Sequence, residues 1–348
     1  MSNYNSTREQ IGVVSFVELT AEEASRLDEI ETVQTIISRA TDGAGIPRDR
    51  IGFTVSGSCD MLVGRPFSWL MAMDGVGVPK PIEESHVEMD GAWALYEAWV
   101  RLQHGDIDAA LVYSFGANAA EDLMQVLALQ LDPYYLAPTG INAAETAALQ
   151  ASALLAAGGK ERDFAEAAVR AGLAASVEDY LAAPRTHAPL RTADLPRFAD
   201  GAAAMVIARG DFARSCCARP AWIRSMAHIA DGHTLGARDL SRSASLEKAA
   251  RLAGVGDAAT DVVEIHAPFG PQEVIALDAL RTAGLSATAQ VNPSGGTRAA
   301  QSVMTAGLAA IGRAAAAVMR GEAKRAVGHA SSGPALQHNL IAVLEDQP

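Results

Sequence analysis

Short apolar runs rich in β-branched residues alternate along the chain with alanine-rich segments that carry the period of an α-helix. The runs that predict strands are IGFTVSG, AALVYSFG, AAAMVIARG, AWIRSMAH, DVVEIHA, RAVGHASSG and LIAVLE. Strands that alternate with helices are typical of layered α/β proteins. The pattern therefore predicts an α/β fold.

One helix–strand unit occurs twice. GAWALYEAWVRLQHGDIDAALVYSFG (91–116) aligns without a gap with GLAAIGRAAAAVMRGEAKRAVGHASS (307–332). Two glycines lie 14 positions apart in both copies, at 91 and 105 and at 307 and 321. Each copy predicts a helix, a glycine C-cap followed by an acidic residue, and an apolar strand that ends in small residues. This match indicates an internal duplication.

The duplication predicts two homologous halves, residues 1–120 and 218–348. An inserted loop domain is expected at 121–198, and residues 199–217 hold the strand that closes the first sheet. Two pseudo-symmetric halves whose helices meet in the middle form a five-layer αβαβα sandwich. In that arrangement the helix N-termini converge on one buried site.

Net charge, cysteine content and the first residues of the sequence limit the functions that this protein can have. The 348 residues carry a formal net charge of −13, with a pI near 5.1, which argues against a surface for nucleic acid or anionic membranes. Three cysteines, two of them adjacent, form no disulfide framework and no zinc spacing, so no metal or other cofactor is expected in this chain. The polar start MSNYNSTREQ lacks the apolar core of a signal peptide, and a cytoplasmic protein is expected.

Several segments together resemble the thiolase superfamily, in particular its sterol-carrier and lipid-transfer branch. They are SHVEMDGAWALYEAW, DVVEIHAPFGPQEVIALDAL, VNPSGG and GHASSGPALQHNLIAVLE. The resemblance covers nearly the whole chain and implies the five-layer fold. It also implies an acyl-CoA substrate.

The chain departs from the family at its reactive positions. In active thiolases the helix of the first half begins with a nucleophilic Cys in a Cys-x-x-Gly setting, and here the matching position is Glu88 in EMDG. Ser302 stands where the family's Gly-His-Pro motif has its His. The final Cys or His position falls on or near His329, and the Asn or His at a strand end falls on His266. Because a thiolase needs a thiolate to accept the acyl group, thiolysis is not expected.

The acidic residues at the helix start allow two interpretations. SHVE has the pattern of a capping box, in which Ser85 and Glu88 would satisfy each other's backbone donors. Alternatively, Glu88 is itself catalytic. Asp90, in the same turn, is interpreted as structural.

Two histidines are the stronger candidates for acid–base catalysis. His266 and His329 both end apolar strands and are followed by Ala and a turn, so we expect them beside one pocket. Tyr113 occupies the position in the repeat that matches His329, and is either catalytic or a core aromatic.

The tight turn of NPSGG predicts a substrate-binding site. Its backbone amides, from Asn292 and Ser294 to Gly295 and Gly296, could hold a thioester oxygen, with Ser302 nearby.

The reaction that needs no cysteine is retro-aldol cleavage of a 3-hydroxyacyl-CoA, which requires a base, donors for an enolate oxygen and an acid. The resemblance implies a branched, steroid-type acyl group that yields a ketone and propionyl-CoA or acetyl-CoA. It also implies a homodimer, paired through GFTVSG or its neighbour, that forms a heterotetramer with a small OB-fold partner carrying a zinc ribbon. Two other functions stay open, a non-catalytic acyl-CoA or sterol-binding subunit and an acyltransferase that uses Cys59.

Overall fold

The computed structural model describes residues 9–64, 66–77, 83–116 and 122–348. Its strands are β1 (Ile11–Leu19), β2 (Phe53–Gly57), β3 (Glu83–Val87), β4 (Ala109–Gly116), β5 (Arg185–His187), β6 (Leu190–Arg191), β7 (Gly201–Arg209), β8 (Ala221–Ala230), β9 (Val262–Ile265), β10 (Gln290–Val291), β11 (Arg325–Ser332) and β12 (His338–Glu345). All seven predicted runs contain a strand, and the additional strands are β1, β3, β5, β6 and β10.

The longer helices follow the alanine-rich segments. In chain order the helices are α1 (Ala21–Ala24), α2 (Glu29–Ala44), α3 (Asp60–Val63), α4 (Ser68–Met71), α5 (Met73–Val76), α6 (Gly91–Leu102), α7 (Leu123–Ala128), α8 (Ala143–Ala156), α9 (Glu161–Arg170), α10 (Val177–Ala182), α11 (Gly210–Cys216), α12 (Ala244–Leu252), α13 (Gly270–Thr282) and α14 (Ala306–Met319). Within the described ranges, no helix is both long and apolar enough to cross a lipid bilayer.

The strand order shows the duplication directly. The first half has the order β3-β2-β4-β7-β1, and the second half has the matching order β10-β9-β11-β12-β8. In each half the first three strands in this order are parallel, and the last two pair antiparallel. A short antiparallel contact between β1 and β8 joins the two halves. The predicted repeat is therefore confirmed at the level of topology.

The two halves enclose a central layer of two helices. α6 and α14 share one core with the inner faces of both halves, including Val55, Val112, Leu308 and Leu340. On the outer faces, α2 covers the first half, and α12 and α13 cover the second. These are the five layers of the predicted αβαβα sandwich.

Glycines at the start of the central helices allow the layers to approach closely. A Cβ at Gly91 would lie 2.6 Å from the Cβ of Ser114, and a Cβ at Gly307 would lie 2.7 Å from the Cβ of Ala330. Both contacts are shorter than any side chain tolerates, so only glycine fits. This close approach explains why the repeat keeps a glycine at both positions.

The segment after residue 121 is helical, although the sequence predicted a loop domain. α8, α9 and α10 have their own core, in which Phe164 and Tyr180 are buried together with Phe269 and Ile275 of the second half. Buried Arg298 donates to the carbonyl oxygens of Ala167 and Ala193, which fixes this segment to the chain around residue 298. The predicted boundary at residue 120 lies outside the described residues, and the domain limits stay a prediction.

Candidate functional site

A cavity of about 90 Å³ lies where the N-termini of α6 and α14 meet the end of β9, the turn between β11 and β12, and the segment around α7 and α8. Its apolar wall includes Leu62, Leu127, Leu131, Phe198, Phe269 and Met304. Its polar wall includes Asp90, Gln130, Thr146, His266, Gln272 and Gln301. Such a mixture of an apolar wall and a few polar groups is typical of sites for small molecules.

Asp90 is the residue on which the two central helices converge. It is the N-cap of α6, and its Oδ1 accepts hydrogen bonds from the backbone N–H of Ala92 at 2.8 Å and of Leu308 at 3.0 Å. Its Oδ2 accepts from the N–H of Gly307 at 2.9 Å, at the start of α14. One carboxyl group thus satisfies unpaired donors at the N-termini of both helices.

Burial controls the ionisation of Asp90. The side chain is almost fully buried, and the loss of hydration raises its pKa to about 7, against the lowering effect of the three backbone N–H groups. Near neutral pH the carboxyl group is therefore divided between its protonated and ionised forms. The sequence suggested only a structural role for Asp90, so its position in the cavity wall and its raised pKa are new information from the structure.

His266 follows β9 and lines the cavity with a neutral ring. The backbone N–H of Ser331 points to its Nδ1 at 3.3 Å, so Nδ1 is the acceptor and the proton is on Nε2. The amide nitrogen of Gln301 lies 2.9 Å from Nε2 of His266, and the amide oxygen has no partner among the described residues, so rotation of this amide by half a turn brings an acceptor to the Nε2 proton. Burial, with a smaller contribution from His329, lowers the pKa of His266 to about 3. At neutral pH the ring is therefore a donor at Nε2.

His329 does not share the cavity with His266. Side chains alternate along β11, so that Ala326 and Ala330 face the central helices, whereas His329 shares the outer face with Val327. Its Nε2 lies 3.0 Å from Oδ1 of Asn339, and burial lowers its pKa to about 4. The expectation of two histidines beside one pocket is wrong, because the ring of His329 lies on the opposite face of the sheet.

Glu88 is not a cap of α6. Ser85 lies within β3, and the residue that caps the helix is Asp90, two positions after Glu88. The Glu88 side chain is half exposed, accepts from the N–H of Asp60 at 2.6 Å and pairs with Nε2 of His86 at 2.9 Å. The capping-box interpretation is wrong because the strand extends through the predicted cap. Glu88 is also absent from the cavity wall.

The NPSGG turn already uses its own amides. The N–H of Asn292 donates to the carbonyl of Val263, that of Ser294 to Glu264, that of Gly295 to the carbonyl of Asn292, and that of Gly296 to Oγ of Ser294. These four residues do not line the cavity. The predicted cradle for a thioester oxygen is therefore wrong, since its donors have partners within the chain. Ser302 is buried close by, and its hydroxyl has no partner among the described residues.

Tyr113 lies in the outer core of the first half, packed with side chains of α2. Burial raises its pKa to about 12, although a hydrogen bond with Ser56 opposes the shift. Tyr113 and His329 occupy matching positions in the two halves and both face outward. A role for Tyr113 at the cavity has no geometric support, because the sheet separates the two.

The cysteines are not placed for catalysis in the cavity. None of the three, all of which lie in the described part of the chain, lines it. Cys59 packs beside Leu62 and Met304, and burial, together with Glu88, raises the pKa of its thiol. A thiol with a raised pKa is a poor nucleophile at neutral pH.

The sequence matches no family model and no curated protein. Solved structures do match its fold. A structure of the Ltp2-ChsH2(DUF35) aldolase superposes with a TM-score of 0.74 at 16% identity, over 97% of this chain and 98% of that chain. Human mitochondrial 3-ketoacyl-CoA thiolase superposes with a TM-score of 0.75 at 14% identity, over 98% and 99% of the two chains. The chain has the fold of the thiolase superfamily, as the sequence resemblance implied.

Proposed function

We propose that this protein is a carbon–carbon lyase that cleaves a branched 3-hydroxyacyl-CoA by a retro-aldol reaction. The products would be a ketone and propionyl-CoA or acetyl-CoA. The observation that carries the proposal is the cavity at the two helix N-termini, which contains a neutral imidazole donor and a buried carboxyl group but no cysteine. This set of groups suits proton transfer and enolate stabilisation, and does not suit acyl transfer to the enzyme.

The reaction is balanced without a further reactant. A base removes the proton of the 3-hydroxyl group, and the oxygen forms a carbonyl as the Cα–Cβ bond breaks. The electron pair of that bond becomes the enolate of the shorter thioester. Protonation at Cα then gives the acyl-CoA, so the substrate has the same atoms as the two products and nothing is oxidised or reduced.

His266 would stabilise the enolate. Its Nε2 lies opposite the ring nitrogen that accepts from Ser331 and next to the amide of Gln301, so donation to the enolate would replace the contact with that amide. A neutral imidazole is a useful donor to a developing oxyanion because it need not lose a proton to the intermediate. The apolar wall would hold the hydrocarbon part of the acyl group. A steroid-type acyl group is the specific form of the proposal.

The assembly is part of the proposal. The aldolase of similar fold is named as Ltp2 together with ChsH2(DUF35). We propose that this chain also acts with a small OB-fold subunit that carries a zinc ribbon, and that any zinc belongs to that partner. Among the strands of the described ranges β3 pairs with β2 alone, so its other edge would pair with a second copy, giving a homodimer core and a heterotetramer.

The two other functions make different predictions. A non-catalytic binding subunit would take up the acyl-CoA in the same apolar cavity without turnover. An acyltransferase would form an acyl-Cys59 thioester that hydroxylamine removes, but the raised pKa of this thiol argues against that function.

The test is incubation of the purified complex with a 3-hydroxyacyl-CoA that is tertiary at C3, with products followed by mass spectrometry. We expect ketone and acyl-CoA in equal amounts, and no thiolysis of a 3-ketoacyl-CoA with free CoA. Binding of the substrate without product, in the presence of the partner, would support the binding-subunit function instead. The Cys59→Ser variant is the control, and it should retain turnover.

A further inference from the structure

A retro-aldol reaction needs a proton acceptor in the cavity, and His266 does not serve, because burial holds its pKa at about 3. We infer, on the basis of the proposed function, that Asp90 is the catalytic residue that takes the proton from the 3-hydroxyl group and returns a proton to Cα.

The position of Asp90 meets the geometric requirement. Its side chain forms part of the cavity wall and is only 1% exposed. Oδ1 accepts two backbone N–H groups, whereas Oδ2 accepts one, from Gly307. Since a carboxylate oxygen has two lone-pair sites, Oδ2 keeps one for a substrate hydroxyl group. The three backbone bonds fix the carboxyl group, so it needs no reorganisation when substrate binds.

The surroundings of Asp90 leave few groups that could influence or replace it. His266 faces the same cavity and stays neutral, and no other titratable side chain lines the described cavity wall. Glu88 lies two residues earlier and points to Asp60 and His86. In the described part of the chain, the groups that favour the ionised form are the backbone donors of α6 and α14, and burial outweighs them. A pKa close to the working pH is the property that general acid–base catalysis requires.

The competing explanation is that Asp90 is only a structural clamp between the two helices. A clamp needs oxygen acceptors but no titration, and Asn or Ser also serves as a helix N-cap. The two explanations therefore differ in the behaviour of Asp90→Asn and Asp90→Ser. If Asp90 is only a structural clamp, both variants should keep their activity and lose some stability. If Asp90 is the catalytic base, both variants should lose activity.

The experiment uses the full chain in complex with its partner. The kcat/KM for a tertiary 3-hydroxyacyl-CoA is measured from pH 5 to pH 9 for the wild type, Asp90→Asn and Asp90→Ser. The matched control is Asp28→Asn, the same change at the N-cap of α2, remote from the cavity. We expect kcat/KM of the wild type to rise with pH through a transition near pH 7. Both Asp90 variants should lose roughly 10²–10⁴-fold in kcat/KM, and their rates should no longer show this transition. Asp28→Asn should keep the transition and the rate.

A second measurement separates this inference from the proposed function. Propionyl-CoA is incubated with the protein in D₂O, and deuterium at Cα is followed by mass spectrometry. Exchange by the wild type that both Asp90 variants lose supports Asp90 even if no 3-hydroxyacyl-CoA is cleaved, and in that case only the proposed function fails. Cleavage and exchange that persist in Asp90→Ser with the transition unchanged overturn the inference.

Folding failure of one variant does not end the test. Circular dichroism shows which variants are folded. If neither Asp90 variant folds, the wild-type protein labelled with ¹³C at the aspartate carboxyl carbons is titrated by NMR. A buried carboxyl resonance that titrates near pH 7, and shifts when acyl-CoA binds, supports the inference. A resonance set that titrates entirely below pH 5 refutes it.

Discussion

Ionisation of Asp90 should make the stability of this protein fall as the pH rises, in the opposite direction to the usual behaviour of carboxylates. Its folded-state pKa of about 7 lies above the ordinary value of 3.8, which we take for the unfolded chain. The unfolded chain therefore releases this proton first as the pH rises. By proton linkage, the contribution of Asp90 to stability is complete below about pH 4 and is lost as the pH rises to about 7.

The size of the effect follows from the shift. About three pKa units at ~1.4 kcal/mol each give a total of about 4 kcal/mol between the two limits. Between pH 5 and pH 8 the expected loss is roughly 2–3 kcal/mol, since part of the change lies below pH 5 and the curve flattens above pH 7. The group is almost fully buried, so solvent screening does not reduce this figure.

Urea denaturation at pH 5, 6, 7 and 8 measures the effect, with Asp90→Asn as the comparison. Asparagine does not titrate, so the free energy of unfolding of the wild type minus that of the variant should fall by roughly 2–3 kcal/mol over this range. The difference removes the contributions of all other titrating groups. Asp28→Asn, at an exposed N-cap, should show no such fall. A wild-type minus Asp90→Asn difference that stays constant from pH 5 to pH 8 would refute the raised pKa.

Three further predictions concern the other candidate residues. His266→Ala should lower kcat by roughly 10²–10³-fold, the usual effect of losing one donor to an oxyanion, with little change in KM in steady-state assays. His329→Gln should make the free energy of unfolding less sensitive to acid. In the wild type, burial of neutral His329 stabilises the fold above pH 6.5, and about 3 kcal/mol of this stability is lost as the pH falls towards 4. Urea denaturation of both proteins at pH 5 and 7 would detect the difference. Glu88→Gln should cost less than about 1 kcal/mol and retain turnover, because the Glu88 carboxylate is half exposed where it contacts His86. An inactive Glu88→Gln with active Asp90 and His266 variants would place the chemistry at Glu88.

Much of the architecture could be predicted because the same helix–strand unit occurs twice in the sequence. The aligned repeat fixed where α6 and α14 begin, and β4 and β11 match it residue for residue, from 109 to 116 and from 325 to 332. The close approach at Gly91 and Gly307 explains why this signal is strong, because no other residue fits there. A feature can be predicted from the local sequence where close steric contacts allow only one type of residue at a position.

β3 was missed for a physical reason. Its sequence EESHV is polar because the strand lies at the edge of the sheet, where side chains meet solvent, and a polar segment does not show strand periodicity. Because β3 was missed, the predicted N-cap was Ser85, which lies five residues before the observed N-cap Asp90. β1, by contrast, has the β-branched run IGVVSFVEL and could have been recognised.

The site was harder to predict than the fold, because it depends on which face a side chain occupies and on partners distant in sequence. The orientation of His329 could have been derived, since Ala326, Gly328 and Ala330 are the small residues that the inner helices require and His329 alternates with them. The hydrogen bonds of the NPSGG backbone amides could not be derived from the sequence, because one of their acceptors, Glu264, belongs to another strand. Nor does a sequence show that a carboxyl group is desolvated.

The acidic residues at positions 88 and 90 suit different kinds of chemistry. Covalent catalysis needs a nucleophile that an acyl group can reach, and position 88 is half exposed beside the helix start. Proton transfer from an alcohol needs a carboxyl group whose pKa lies near neutrality. At Asp90, burial raises the pKa to this range although the two helix N-termini favour the ionised form. Asp90 has this burial and Glu88 does not. A lyase with this fold and this turn would therefore be expected to use the buried residue, Asp90, whose carboxyl group the N-termini of both central helices hold in place.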